Sequence, residues 1–295
     1  MILVDQGRLD LDAPVGDYLD VWPPTFAAAR VRDLFRHSSG LSNPLPLRWV
    51  HLAGDSRPDQ HVFLARLLAR QRKPKFEAGS RAAYTNVGFL ALGEVIAAVG
   101  GEPYVTWVSR NLLSPLGMDT TAFSWADVAD RPAATGYVRL ATPMTPLLKW
   151  FLPNGLVGRR SAGYVALNRF EVDGAAYGGL IGPVTDAARL AALHLAGGTL
   201  NGVAVLSSDA VAEMARVTTP GKPYDLGLGW FRHRSAGDPS HIEHLGGGAG
   251  FWNVIRLYPD RNMGVVIMSN TTRRWGLERL ADRIVEIPWS DWHAS

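Results

Sequence analysis

The stretch Val87 to Val99, VGFLALGEVIAAV, is apolar at almost every position. A helix that is apolar all round has no face to give to water and has to be buried among other elements. Gly100-Gly101 stops it, as glycine does at a helix end. It is entered through FEAGSRAAYTN, a turn followed by the polar triplet Tyr84-Thr85-Asn86. The chain must therefore wrap a core around this helix. The triplet sits at the helix mouth, where two polar heads can point into one cleft.

The 295 residues suffice for one large domain, read here as a single unit over 1–295. Residues from about 25 to 220 read as mainly helical, and those from about 221 to 295 as sheet plus a last helix. Hydrophobic residues make up 47% and charged residues 19%, so the chain is globular rather than disordered. The net charge is only +3 and no basic run occurs, which argues against nucleic acid as a partner. With no cysteine there is no disulfide, thiol nucleophile or thiolate metal site. No apolar run is long enough to span a bilayer. Met1-Ile-Leu-Val is too short for a signal-peptide core, so the chain as written is expected in the cytoplasm.

In order, MILVDQG reads as the last turns of an amphipathic helix closed by Gly7. VRDLFRH (31–37) is a short helix ended by Ser38-Ser39-Gly40-Leu41, and 42–47 is loop. Pro58 to Arg70 is helical with Val62, Phe63, Leu67 and Leu68 on one face. Pro103 opens a helix running to about Leu113. Asp127 to Asp173 shows no period. Within it MTPLLKWFLP (144–153) reads as a covered loop or helix turn, or else as an apolar lip beside a cleft. Thr185 is expected to cap a helix to Ala196 with Leu190, Leu193 and Leu195 inward, and Ser207 or Ser208 another to about Arg216. After Pro223 four strands are predicted: Leu226 to Arg232, Ser240 to Leu245, Phe251 to Tyr258 and Met263 to Ser269. A final helix, about Leu277 to Ile287, carries Leu280, Ile284 and Val285 toward the sheet. The expected architecture is α+β, with helices first and an antiparallel meander second.

Three groups of residues bear on chemistry. The Tyr84 phenol, placed near a cation, could act as a base toward a hydroxyl nucleophile, and Asn86 could meet a substrate amide. The alternative is a capping asparagine and a core-edge tyrosine. His244 and Gly246 alternate onto one sheet face, and Gly246-Gly247-Gly248 leave backbone N–H groups unobstructed for an oxyanion. The alternative is a glycine-rich hairpin with a surface histidine. On a strand His241 and His244 face opposite ways, which argues against a metal. The serines offer neither Gly-x-Ser-x-Gly nor Ser-x-x-Lys, and Ser38-Ser39 beside His37 read as turn and cap residues.

Together these segments resemble the serine hydrolases of the class C β-lactamase and penicillin-binding-protein superfamily, in its β-lactamase-related esterase and D-peptidase branch. LVDQGRLDLDAPVGDYL, VRDLFRHSSGL, FEAGSRAAYTNVGFLALGEVI, LLSPLGMDTTAF, YGGLIGPVTDAARLAALHLAGG and HLGGGAGF match family segments in the same order. The resemblance implies a β-lactamase/transpeptidase-like fold and an acyl-serine mechanism without metal or organic cofactor. It implies that Tyr84 works with a motif lysine as base and then acid, and that Asn86 contacts the substrate amide. His244 stands where other members carry the lysine of Lys-Thr-Gly, and the Gly247 N–H supplies half of the oxyanion hole. The implied substrate is a small ester or amide, including D-amino-acid peptides. A β-lactam is disfavoured because histidine is not a permanent cation.

The sequence departs from that pattern in its first motif. Ser-x-x-Lys should stand about two helical turns ahead of Met1, together with an N-terminal helix and strands. The expectation is a truncated form, inactive as written, whose parent is exported in many relatives. The rival expectation is a non-catalytic binding module that keeps the cleft.

Overall fold

The computed structural model describes residues 1–46, 49–128, 131–139, 152–233, 241–248, 250–271 and 276–288. The helix Asn86–Gly100 is the axis of the larger core. Thr85 caps it, its side chain accepting from the Val87 N–H at 3.2 Å, and Gly101 closes it in the left-handed region. Leu90, Ala91 and Leu92 are consecutive, so they point to three sides of the helix, and all are buried. Around them pack Leu3, Leu34, Leu64, Leu68 and Trp107 from the helices Ile2–Asp5, Val31–Phe35, Gln60–Leu68 and Tyr104–Val108. Asp59 caps Gln60–Leu68, and that helix buries Leu64, Leu67 and Leu68 while Val62 faces solvent, contrary to its expected inward position. The helix after Pro103 continues as a π-helical turn, Ser109–Leu113.

Twelve strands are described: β1 (Val50–Leu52), β2 (Tyr137–Arg139), β3 (Val157–Ser161), β4 (Tyr164–Leu167), β5 (Phe170–Val172), β6 (Thr199–Leu200), β7 (Val203–Ala204), β8 (Tyr224–Leu226), β9 (Phe231–His233), β10 (Ile242–Gly248), β11 (Phe251–Tyr258) and β12 (Met263–Ser269). The largest sheet has the order β12-β11-β10-β9-β8, antiparallel throughout. This is the expected meander with one correction. The run Leu226 to Arg232 is not one strand: Gly227 to Trp230 fold it into the hairpin between β8 and β9. Ser240 lies outside the described residues. The region without a readable period holds β2, β4 and β3 as a small sheet, and β5 paired with β1. These strands are three to five residues long and largely exposed or half-buried, so they carry little apolar alternation. Residues 144–151 of the apolar lip lie outside the described residues.

The large sheet has two covered faces. On one, Ile242, Ile255, Leu257 and Val266 pack with Ala191 and Leu195 of the helix Val184–Leu195. On the other, Tyr258, Val265 and Ile267 meet Ala281, Ile284 and Val285 of the helix Leu277–Val285. Leu280, expected inward, is 46% exposed; the buried row is Leu277, Ala281 and Val285, spaced four apart. Thr185 is not a cap: Pro183 holds that position. Ser207 does cap Ser208–Ala215, accepting from the Ala210 N–H at 3.0 Å. It also donates to Asp5 Oδ1 at 2.7 Å, tying this helix to the first. Among the described residues no helix is long and apolar enough to cross a membrane.

Beneath the last helix lies a charged cluster. Arg256 donates from Nη2 to Glu243 Oε2 at 2.7 Å and from Nη1 to Asp282 Oδ1 at 2.5 Å and the Glu278 carbonyl at 2.9 Å. Glu243 and Arg256 are 1% and 3% exposed. Removing one partner leaves the other charge buried without compensation. Arg256→Met is expected to cost about 3–5 kcal/mol in urea unfolding, and Glu243→Leu with Arg256→Met markedly less than the single change. An equal or larger loss in the double variant would contradict this account.

Candidate active site

The helix mouth is held by the turn that follows Val31–Phe35. Asp33 is buried and accepts from the Arg30 N–H at 2.9 Å and from Ser38 Oγ at 2.7 Å, so Ser38 has the turn role expected of it. His37 then adopts φ 52 and turns its ring inward. Its Nδ1 accepts the Thr85 N–H at 3.1 Å, and its carbonyl accepts the Ala83 N–H at 2.9 Å. Thr85 Oγ1 donates to the Ser42 carbonyl at 3.2 Å, and Asn43 Oδ1 accepts the Asn86 N–H at 3.0 Å. The residues on either side of Tyr84 are thus bonded to one loop, 37–43. The helix cap is Thr85, not Asn86, which removes the capping alternative for the Asn86 side chain.

Tyr84 lies in the resulting corner. Its ring centroid is 4.3 Å from that of His37 and 6.1 Å, edge-on, from that of Phe231 at the start of β9. Phe231 in turn lies 4.4 Å from His244. One phenylalanine therefore separates the two expected site residues, which the chain places 160 positions apart. Tyr84 is 46% exposed, yet the protein around its hydroxyl still raises its pKa above the usual value of 10.0 by desolvation. No charge among the described residues opposes that shift. With no cation acting on it, the phenol stays neutral at ordinary pH.

His244 belongs to the face of β10 that turns toward the helical region. Its antiparallel partner is Ile255, whereas neighbouring Glu243 faces Arg256 on the opposite side. Gly246 and Gly248 follow His244 on its face. Gly247 lies against the Trp252 ring, where an added Cβ would fall 2.2 Å from Cζ3. A side chain there would displace the indole or the strand. Gly248 has open space on its Cβ side. Within the described residues β9 pairs with β10 only at Phe231 and Glu243, so the glycine run extends past the end of β9. His241 is buried with its ring 5.5 Å from Tyr258, on the far face from His244. No group of His, Asp or Glu able to hold a metal occurs among the described residues.

Two features of the site escaped the sequence. His37 is 1% exposed and stacks on Phe89 at 5.0 Å. Burial, then the nearby His244, pushes its pKa down to about 3. Only its position after a short helix could have drawn attention to it. Phe231 was assigned to the interior of one long strand; the paired glycines 227 and 229 were the signal that the strand breaks.

The chain belongs to the Beta-lactamase family, whose profile matches residues 1–287. It is 24% identical to the D-alanyl-D-alanine-carboxypeptidase/endopeptidase AmpH of Escherichia coli (strain K12), over 97% of this chain and 70% of that protein. Two solved structures share the fold with a TM-score of 0.71. The octameric penicillin-binding protein homologue from Pyrococcus abyssi is 20% identical over 96% of this chain, and SurE is 27% identical over 100% of it. This chain spans 62% of the length of each of those two.

The neutral histidines set a pH dependence. His37, held to about 3, His194, held to about 4 by burial, and His244, lowered chiefly by burial, are neutral when folded but protonate near 6.5 when unfolded. The unfolded chain thus binds more protons below that pH, so their contribution is complete above about pH 6.5 and lost as pH falls toward 3. Unfolding free energy, measured in urea from pH 7 to 4, is expected to decline. In His37→Asn, which keeps an acceptor and tolerates positive φ, the slope is expected to be shallower by up to about 1.4 kcal/mol per pH unit. An unchanged slope would exclude His37 as a source.

Proposed function

We propose that this chain carries the proton-transfer and substrate-binding part of a β-lactamase-like serine hydrolase. The parent enzyme cleaves a small ester or an amide, D-amino-acid peptides included, through an acyl-serine intermediate. The observation that carries this reading is the approach of Tyr84 and His244 to either side of Phe231, where the mouth of the buried helix meets the glycine run of β10. Membership of the Beta-lactamase family and the D-alanyl peptidase activity in AmpH's name support it. In this reading Asn86 meets the substrate amide, and backbone N–H groups of Gly246 to Gly248, that of Gly247 first, face the oxyanion. In this reading the serine and its lysine come from a Ser-x-x-Lys segment that is not among these 295 residues.

The raised Tyr84 pKa defines what that segment must supply. A neutral phenol gives a proton to a leaving group but does not take one from serine. A cation within about 4–6 Å would lower its pKa and make it a base. The lysine of Ser-x-x-Lys fills that role, and the serine N–H supplies the second oxyanion donor. A second reading, a non-catalytic module that keeps the cleft, is favoured by the lack of Ser-x-x-Lys within the 295 residues.

A fluorophosphonate probe separates the two. The 295-residue chain is expected to remain unlabelled at any active-site serine, and a form extended through the upstream reading frame to be labelled. Failure of both to label removes the hydrolase reading. In the extended form Tyr84→Phe is expected to lower turnover by about 10²–10⁴-fold with an unchanged melting temperature. Undiminished turnover would take Tyr84 out of the mechanism.

A further inference from the structure

The protonation pattern of His244 is written in its hydrogen bond. Nδ1 lies 2.6 Å from the carbonyl oxygen of Gly229. A carbonyl only accepts, so Nδ1 carries the proton. The neutral ring then has its lone pair on Nε2. The carbonyl is aimed by the hairpin between β8 and β9. Gly229 stands at φ 86 there, its N–H donating to Gly227 O at 3.0 Å, while the Gly227 N–H donates to Trp230 O at 2.8 Å. An added Cβ at Gly229 would meet nothing within 4 Å, so the backbone conformation, not space, calls for glycine.

The other histidine in the corner has the opposite tautomer. His37 Nδ1 accepts from a backbone N–H, so its proton sits on Nε2, which is buried and unpartnered. The two rings are close enough for a charge on His244 to disfavour one on His37.

We infer that the site recognises its ligand through the lone pair of His244 Nε2, and so takes a group that donates a hydrogen bond there, an amide or amine N–H, rather than a carboxylate. The inference rests on the reading of this corner as the substrate site, and deepens it by naming the substrate's chemistry beside β10. A carboxylate would need the imidazolium. Burial opposes that charge, and Glu243, the adjacent carboxylate, faces away and is committed to Arg256. An N–H donor needs no proton movement.

The test is binding, which requires no turnover. Benzamide, methyl benzoate and benzoate share a ring suited to the Tyr84 and Phe231 corner and differ in what they offer: an N–H donor, neither donor nor charge, and an anion. At pH 7.5 protonating even an unshifted histidine costs roughly tenfold, so benzamide is expected to bind about tenfold or more tighter than benzoate by NMR titration. It should exceed methyl benzoate by about fivefold, the worth of one hydrogen bond. Nitrogen-15 shifts should report the His244 proton on Nδ1, with Nε2 moving when benzamide binds. His244→Lys should reverse the order of benzamide and benzoate. His244→Gln, which both donates and accepts, should bring the two within about threefold. Benzoate binding the unaltered chain as tightly as benzamide, a proton found on Nε2, or no binding by any of the three overturns the inference. A failed fluorophosphonate experiment with the ligand order intact would overturn only the hydrolase reading.

Discussion

The site depends on one buried hydrogen bond, from the Thr85 N–H to His37 Nδ1. Thr85 is the cap of the buried helix, so whatever fixes its amide fixes where the helix begins. His37 reaches that amide only because its own backbone turns through φ 52, within a turn closed by the hydrogen bond from Ser38 to Asp33. Tyr84 is positioned almost by default. The residue before it is bonded to the His37 carbonyl, the residue after it to the His37 ring, and its own ring rests on that ring. A buried histidine thus does for a loop what a strand neighbour does in a sheet.

Much of this was legible in the sequence. Val87 to Val99 announced its burial because its apolar positions run round the helix, and the strands Phe251 to Tyr258 and Met263 to Ser269 coincide with β11 and β12 because each is a β-rich run bounded by turn residues. Ser207 and Gly101 act as the cap and the stop their residue types suggest. What failed to show was set by contacts distant in sequence. The strands between 137 and 172 are too short and too exposed to print a period. Leu280 and Val62 were placed inward by apolar character alone, which cannot say which side of a short helix the core lies on. The break between β8 and β9 was hidden by apolar residues on both sides of its glycines.

The site residues divide the same way. Tyr84, Asn86, His244 and the glycines 246 to 248 were found as motifs, and the first and third of these meet across Phe231. Their protonation states were not legible, because each depends on one partner from elsewhere: Thr85 for His37, Gly229 for His244, and desolvation for Tyr84. A motif names the functional group. The surrounding fold decides whether that group gives or takes a proton.

The ion pair between Glu243 and Arg256 has a consequence beyond stability. Glu243 and His244 are neighbours on β10 and face opposite sides of the sheet. Because side chains alternate, a slip of β10 by one residue against β11 would carry every one of them to the other face. The glutamate would then enter the apolar layer beside Ile255 and Leu257, and Arg256 would lose its carboxylate. Gly246 to Gly248 lack side chains and cannot oppose such a slip. The charge pair under the sheet therefore acts as the registration pin for the histidine above it, and an apparently structural contact decides which way the recognition group looks.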